Sequence, residues 1–391
     1  MKSQLDLMIK GHGPVAQSLA LALGALHYKV GLSAPLSPKS GLNAGHTALS
    51  TAIDPRHYAL SPKSKIFLEG LNAWPDQVFC TPILAMHVHS DKGQVIHLTD
   101  KNANPLAHVV SALGLNEQLA KAVHNEPWID LQGKEPQTQV TPLTLICEGR
   151  LSESRSSLGV NFEHTPYLQH ALSGNLNANR PHQQIAHQWF LNNENGNEIL
   201  ALLPNGGPQS CSYSFVWSQP AHLAQERMQL AAADLESALT QATQSQLGPL
   251  RCLDEPKIWP LIKAKAHQWV GQTDYGSSWC LLGDAAHSVH PLAGMGLNLG
   301  LEDAMEMARL LKERQLKGSN RSLSDLHLLR QFERARKAQL LPTWFAMDAI
   351  QRLFSHTNPM VESLRNWGAW GFERSPMLKD FIVQKASGIA A

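Results

Sequence analysis

The chain has 391 residues, so we expect two packed lobes, because a single hydrophobic core seldom grows beyond about 250–300 residues. Lys and Arg (33) balance Asp and Glu (32) to a net charge of +1, which excludes the basic surface typical of nucleic-acid-binding proteins. Five scattered cysteines without a C-x-x-C pair predict neither a disulfide framework nor a zinc site and favour a reducing cytoplasm.

The N-terminal segment has the pattern of a dinucleotide-binding unit. An apolar strand at 5–9 leads into Gly11-His-Gly-Pro-Val-Ala16, which fits G-x-G-x-x-A, and a helix (16–26) and a second strand (30–32) follow. Gly11 and Gly13 admit a diphosphate. Such sites usually carry Asp or Glu about 20 residues later to hold the adenosine ribose. Ala34 stands at that position, so one ribose contact is predicted to be missing.

A second pattern begins at Asp54-Pro-Arg-His-Tyr-Ala-Leu-Ser61 and continues into a helix with apolar residues at helical spacing. Ser61 is the predicted N-cap of that helix, and Pro62 occupies its first turn. Further on, residues 86–89 and 94–98 flank the turn residues Asp91-Lys-Gly93, which predicts a β-hairpin.

The middle of the chain alternates between a buried strand and a half-buried sheet. The apolar strand 143–146 delivers Glu148 towards the dinucleotide crevice, and Gly149 makes the turn. Four segments in which apolar and polar residues alternate then predict an antiparallel sheet: 167–176, 181–190, 198–203 and 211–217. One long helix at 221–244 and a closing strand at 259–270 are predicted to follow.

The stretch from Cys280 to Asp303 joins a buried strand, an acidic turn, a glycine-punctuated loop and a helix start. Gly283 allows a tight turn that leaves Asp284 at the carboxyl end of the strand, where open α/β sheets bind ligands. Beyond Pro291, Gly294 and Gly296 let bare backbone approach a flat ligand. The helix that begins near Gly296 aims free N–H groups and a positive dipole end at that ligand.

The sequence G-D-A-A-H-x-x-H-P-x-A-G-x-G-L-N-L-G-L-x-D at 283–303 resembles the second flavin motif of FAD-dependent aromatic hydroxylases, most of all the ubiquinone-biosynthesis hydroxylases. Residues 54–61 are similar to the D-x-R-x-x-A-L-S of that family. Residues 147–155 are similar to its A-D-G-x-x-S-x-x-R, with Glu148 in place of Asp. Met295 stands where the family usually has Gln.

The resemblance implies a set of FAD contacts. Asp284 would bind the ribitol chain, and the backbone at Gly296, Leu297 and Asn298 would face the pyrimidine edge of the flavin. Arg56 would bind the diphosphate or ribose; the alternative is a surface ion pair with Asp54. The cofactor-binding residues implied in total are Gly11, Gly13, Ala16, Arg56, Glu148, Gly283, Asp284, Pro291, Gly294, Gly296, Leu297 and Asn298.

The predicted fold class is α/β, with a Rossmann-type FAD-binding lobe, an inserted antiparallel-sheet substrate lobe and C-terminal helices. We expect the FAD lobe to be discontinuous, over 1–79, 100–165 and 272–345. The substrate lobe would cover 80–99 and 166–271, and a C-terminal helical region would cover 346–391.

The function implied is FAD-dependent hydroxylation of an aromatic ring with NAD(P)H and O2, on a lipophilic prenylated phenol of ubiquinone biosynthesis. No catalytic residue is assigned, because the cofactor carries the chemistry. The alternative is a non-catalytic FAD-fold protein that serves a quinone-biosynthesis complex. Contact with that complex, or peripheral contact with a membrane through the apolar C-terminal tail, stays open.

The 19 histidines raise the question of a metal site. His87 and His89 share one face of a predicted strand, and His287 and His290 flank the flavin loop. The sequence places no further ligand beside either pair, so we expect no metal site.

Overall fold

The computed structural model describes residues 4–33, 54–90, 93–132, 141–193, 196–288, 296–318 and 321–355. Within these ranges the strands form three sheets, of six, nine and three strands. Ala34, Pro291 and Gly294 lie outside the described residues, as do His290, Met295 and the chain beyond residue 355.

The first sheet is mainly parallel and lies at the centre of the larger core. Its strands follow the order β16-β17-β9-β1-β2-β8, and only β16 runs antiparallel to its neighbour. They are β1 (Leu7–Lys10), β2 (Val30–Ser33), β8 (Ile129–Gln132), β9 (Leu143–Ile146), β16 (Val270–Gln272) and β17 (Ser278–Leu281). The apolar runs of β1, β9 and β17 are almost wholly buried, as expected for parallel strands covered on both faces.

Four helices complete this core: α1 (Pro14–Gly24), α3 (Ala112–Asn125), α7 (Gly296–Leu316) and α8 (Leu326–Ser355). Among the described residues, no helix combines the length and the apolar character needed to cross a lipid bilayer.

The second sheet follows the order β18-β15-β10-β13-β12-β11-β5-β6, with β14 paired to β10. Its strands are β5 (Ala85–His89), β6 (Val95–Thr99), β10 (Phe162–Asn177), β11 (Ile185–Asn193), β12 (Gly196–Pro204), β13 (Ser212–Pro220), β14 (Arg251–Cys252), β15 (Lys257–Ala266) and β18 (His287–Ser288). The predicted hairpin is present as β5 and β6. All neighbours are antiparallel except β5 and β11, which are parallel, so the sheet is not purely antiparallel as predicted.

A small third sheet, β3-β7-β4, lies between the two large ones and packs Ala59, Ile83 and Val109 against Ala186 and Leu203. It consists of β3 (His57–Leu60), β4 (Cys80–Ile83) and β7 (Ala107–Ser111). The short helices α2 (Pro62–Gly70) and α4 (Glu153–Ser157) follow β3 and β9 in the chain. Ser61 caps α2 by accepting a hydrogen bond from the Ser64 amide, as predicted.

Two predicted elements are wrong. The long helix predicted at 221–244 is broken into α5 (Ala221–Met228) and α6 (Ala232–Ala242). The break lets α5 lie over β10 and β13 while α6 turns towards β14, and a continuous helix could not cover both. The strand predicted at 259–270 ends at Ala266, and the chain then crosses to the first sheet as β16.

Candidate cofactor-binding site

Three loops meet at the carboxyl edge of the first sheet. Gly11, Glu148 and Asp284 follow β1, β9 and β17, which are adjacent parallel strands. The chain leaves β1 for β2 on one side, whereas β9 lies on the other side. Such a switch in strand order opens a crevice beyond the strand ends, where α/β proteins bind their ligands.

In the glycine loop after β1, Gly11 is required by close packing, whereas Gly13 borders an open space among the described residues. Gly11 has φ +128°, and a Cβ there would lie 2.4 Å from the carbonyl oxygen of Cys147, so only glycine fits. Its N–H donates to Ser33 Oγ at 2.8 Å. Gly13 is the N-cap of α1, and within the described ranges no atom other than those of its chain neighbours lies within 4 Å of the position of its absent Cβ. Ala16 is buried on α1. The first turn of α1 therefore presents backbone N–H groups to an open space, an arrangement that suits a phosphate.

Asp284 lies in a 3-10 turn, Gly283–Ala285, directly after β17. Gly283 and Ala285 are buried, whereas Asp284 is exposed. Its carboxylate makes no hydrogen bond or ion pair with any of the described residues. The surrounding protein raises the pKa of this carboxyl by desolvation, and His287 and Arg150 oppose that effect. A free acceptor in a partly dehydrated crevice is suited to ligand hydroxyls.

Close packing fixes that turn against two helices. Gly283 has φ +59°, and Val15 of α1 lies between Gly283 and Gly300 of α7. A Cβ on Gly300 would meet Val15 Cγ2 at 2.6 Å. The glycines thus allow α1, α7 and the acidic turn to meet at one point.

A buried ionic cluster of Asp303, His287 and Arg336 supports the same turn. Asp303 of α7 accepts from the Gly283 N–H (2.7 Å), from His287 Nε2 (2.8 Å) and from Arg336 Nε (2.6 Å). Burial alone would raise the pKa of Asp303, but the charges and hydrogen bonds of His287, Arg336 and the Gly283 amide hold it below its ordinary value. The His287 ring also stacks on Trp269, with centroids 4.9 Å apart.

The start of α7 is open on the crevice side. Apart from its neighbours in the chain, no atom of the described residues lies within 4 Å of a Cβ built on Gly296, and Leu297 is half-buried. The buried Asn298 side chain has a structural role. It accepts from the Ser61 N–H (2.9 Å) and the Ser64 hydroxyl (2.8 Å) and donates to the Ala59 carbonyl (2.8 Å). These bonds tie the first turn of α7 to β3 and α2.

Glu148 folds back on its own loop. Its carboxylate accepts from the Ser152 hydroxyl (2.7 Å) and from the amide (3.0 Å) and hydroxyl (2.8 Å) of Ser154. The longer side chain, in place of Asp, reaches the first turn of α4. In the same loop the buried Arg155 donates to the Ala285 carbonyl at 3.0 Å, so this loop is tied to the acidic turn.

Arg56 forms the ion pair that was the alternative to cofactor binding. Its Nε and Nη2 donate to the two carboxylate oxygens of Asp54 at 2.9 and 2.7 Å. About half of the Arg56 side chain is exposed, at 51%. Nη1 has no partner among the described residues, so one edge of the guanidinium can still donate to a ligand.

The supporting residues Asp303, Arg336 and Asn298 were not predicted as structural. Asp303 closes the matched motif on an apolar helix, where a charged residue indicates a buried partner. Nothing in the local sequence indicates Arg336, because its contact with Asp303 spans 33 residues.

The residues present fit a dinucleotide that carries a flavin: an open glycine cradle, a helix N-terminus, an unpaired acceptor and a second open helix start. The class defined by fold and site is that of flavin-dinucleotide-binding enzymes with an inserted substrate sheet. A family model described as FAD binding domain matches residues 118–339, more than half of the chain. The chain belongs to this FAD-binding family, among the FAD-dependent monooxygenases.

Two relatives match over 98% of this chain and 89% of their own length, each at 27% identity. They are the ubiquinone biosynthesis monooxygenase COQ6 of Danio rerio and the ubiquinone hydroxylase UbiL of Rhodospirillum rubrum. The crystal structure of p-nitrophenol 4-monooxygenase PnpA from Pseudomonas putida covers the whole of both chains with a TM-score of 0.72 at 14% identity, which shows a shared fold. The predicted fold class, cofactor and enzyme class are thereby confirmed.

Proposed function

We propose that this chain hydroxylates the aromatic ring of a lipophilic phenol, an intermediate of ubiquinone biosynthesis, with FAD, NAD(P)H and O2. The observation that supports it most is the unpaired Asp284 carboxylate beside two open helix starts, on a chain whose full-length relatives bear ubiquinone hydroxylase names.

Each implied contact has a proposed role. Asp284 would accept hydrogen bonds from the ribitol hydroxyls, and the α1 N-terminus beside Gly13 would hold the diphosphate. The backbone from Gly296 to Asn298 would face the flavin ring. Arg56 would use its free Nη1 on a phosphate or ribose oxygen. Glu148 would contribute through its loop, because its own oxygens already cap α4.

The overall reaction sets what the protein has to do. NAD(P)H gives two electrons, one atom of O2 becomes the new ring hydroxyl, and the other leaves as water with the hydride-derived electrons and two protons. When bound, FAD supplies the electron transfer and the activation of oxygen. The protein residues bind and orient the ring and exclude water.

We further propose that the lobes follow the predicted division. The FAD lobe would comprise 1–79, 100–165 and 272–345, and the substrate lobe 80–99 and 166–271. The C-terminal helical region 346–391 would begin within α8, which runs from Leu326 to Ser355. The first and second sheets, each with its own buried core, support this division.

Oxygen incorporation tests the proposed function. FAD-loaded protein is incubated with NADH or NADPH, ¹⁸O2 and a phenol that carries a short prenyl chain. We expect one ¹⁸O atom in the product ring by mass spectrometry. The variant Asp284→Asn should lose product formation in step with its flavin content. Reduced-nucleotide oxidation that yields only hydrogen peroxide with every phenol tested would contradict the proposal.

A prenylated phenol partitions into lipid, so we propose that the chain meets its substrate at the cytoplasmic face of a membrane, alone or within a quinone-biosynthesis complex. Co-sedimentation of the full chain with vesicles of phosphatidylethanolamine and phosphatidylglycerol tests the direct contact. Protein that stays in the supernatant at every lipid concentration would leave no support for it.

A further inference from the structure

Three histidines converge on one face of the second sheet. His87 and His89 are two residues apart on β5, and His187 on β11 lies directly opposite His87 in the parallel pair. One ring nitrogen from each lies within 4.8 Å of the other two. His89 and His187 are buried, and His87 is half-buried.

The spacing of these nitrogens suits a metal ion. His89 Nε2 and His187 Nδ1 are 3.2 Å apart. Two nitrogens bound at about 2.0–2.1 Å to one tetrahedral zinc ion lie about 3.3–3.4 Å apart. His89 Nδ1 is buried without a hydrogen-bond partner among the described residues, so Nε2 is the His89 nitrogen that faces His187.

The cluster is separate from the flavin crevice. Side chains alternate between the two faces of a strand, and Ala186 packs towards Ala59 of the third sheet. His187 and Trp189 point to the opposite face, where Trp189 joins the core covered by α6. Trp189 stacks on His89, with centroids 4.6 Å apart, and holds the ring orientation.

We propose that His87, His89 and His187 form a binding site for one divalent transition-metal ion, zinc being the ion best suited to three imidazoles. The fourth position would hold water on the side of the exposed His97, whose ring lies 4.3 Å from that of His87. The ion would tie the β5–β6 hairpin, at one edge of the second sheet, to β11. The sequence suggested no such site because His187 is 98 residues from His89.

Metal titration of the tag-free, FAD-loaded chain tests the site. We expect one Zn²⁺ per chain by isothermal calorimetry, and visible absorption bands of four-coordinate Co²⁺ on titration with Co²⁺. His187→Asn should weaken Zn²⁺ binding on the order of 100-fold or more, and so should His87→Asn at the more exposed ligand position. His124→Asn, on the exposed side of α3, is the matched control and should bind as the wild type does.

The wild-type measurement keeps the test independent of how the variants fold. Wild-type protein without the Co²⁺ bands and without Zn²⁺ binding tighter than about 100 µM would overturn the proposal. Equal Zn²⁺ affinity in the wild type and a folded His87→Asn variant would overturn it as well. Bound zinc should also raise the thermal midpoint of the wild type and not that of His87→Asn.

Discussion

At the residue scale, the crevice depends on a carboxylate that the protein leaves unpaired. Asp284 follows a fully buried strand, and desolvation raises the pKa of its carboxyl, yet it makes no hydrogen bond or ion pair with a described residue. Asp303 of the buried ionic cluster, in contrast, accepts from three donors at 2.8 Å or less. Asp303 therefore supports the turn, whereas the Asp284 carboxylate has no partner among the described residues.

Replacement of that carboxylate should weaken cofactor binding. Asp284→Asn keeps the shape and removes the charge, and a charge-assisted hydrogen bond contributes about 1.5–3 kcal/mol, so we expect FAD affinity to fall roughly 10- to 150-fold. Flavin fluorescence during titration of the deflavinated protein measures it. Asp274→Asn, at an exposed turn, is the control. A folded Asp284→Asn variant with wild-type affinity would rule out the ribitol role.

The two glycines of the N-terminal loop should respond differently. Gly13→Val has room in the protein itself, so the variant should fold and lose FAD affinity by at least about tenfold, because the side chain fills the space for the diphosphate. Gly11→Ala places a Cβ against the carbonyl of Cys147 and should lower the thermal midpoint first. Calorimetry of both apoproteins, followed by FAD titration, separates the effects. Full FAD affinity in Gly13→Val would show that the diphosphate lies elsewhere.

At the element scale, α7 is held in place by buried charge. Asp303 links its first turns to the acidic turn after β17 and to Arg336 of α8, and Asn298 links it to β3 and α2. Helix α7 thus has hydrogen bonds to four other parts of the chain: the turn after β17, α8, β3 and α2. These hydrogen bonds fix the position of the α7 N-terminus. Asp303 contributes to this through Gly283 and Arg336 and needs no contact with a ligand.

Breaking that cluster should destabilise the protein strongly. Asp303→Asn leaves Arg336 buried without its main counter-charge, and we expect a loss of about 3–5 kcal/mol in unfolding free energy. Because the pKa of Asp303 is depressed in the folded state, its stabilisation is present above the unfolded pKa of about 3.9 and is lost as pH falls further. The difference between wild type and variant in urea unfolding should therefore shrink below about pH 4.

The control for this experiment is Glu313→Gln on the same helix. Glu313 pairs only with surface residues Arg309 and Lys317 among its described ion pairs, so its loss should cost about 0.5 kcal/mol or less. Equal stability of Asp303→Asn and Glu313→Gln would show that the buried cluster does not hold α7.

Local patterns predicted the elements that carry the crevice well. The strand, glycine turn and helix at β1 and α1, and the buried strand before Asp284, follow from side-chain periodicity and turn chemistry within about ten residues. The side-chain contacts that depend on distant partners could not be predicted. Arg336 and His187 contact residues that are far from them in the chain, so no local pattern indicates these contacts. The hydrogen bonds of Glu148 to Ser152 and Ser154 depend on the geometry of their loop.

At the scale of the whole molecule, a polar network joins the third sheet to the second sheet. Ser214 Oγ on β13 donates to Asn175 Oδ1 (2.6 Å) and lies 2.7 Å from His57 Nδ1 on β3. Asn175 also donates to the carbonyl of Pro55 at 3.0 Å. These bonds hold the segment that carries Arg56 against the second sheet. The position of Arg56 is therefore coupled to the second sheet.

Loss of the central hydroxyl should loosen this contact. Ser214→Ala removes the hydroxyl that lies beside His57 Nδ1 and the shorter of the two hydrogen bonds to Asn175 Oδ1, and we expect a loss of about 1–3 kcal/mol in unfolding free energy by urea titration. Ser212→Ala, on the same strand and face, is the control. If both variants unfold at the wild-type urea midpoint, the network between the second and third sheets does not contribute to the free energy of unfolding.

The crevice at the ends of β1, β9 and β17 should hold one FAD. Titration of the deflavinated chain with FAD, followed by calorimetry and flavin fluorescence together, measures this binding. We predict saturable binding of one FAD per chain, with competition by ADP because both ligands need the diphosphate cradle at Gly13. Absence of saturable FAD binding by correctly folded protein, or binding that Gly13→Val and Asp284→Asn both leave unchanged, would contradict it.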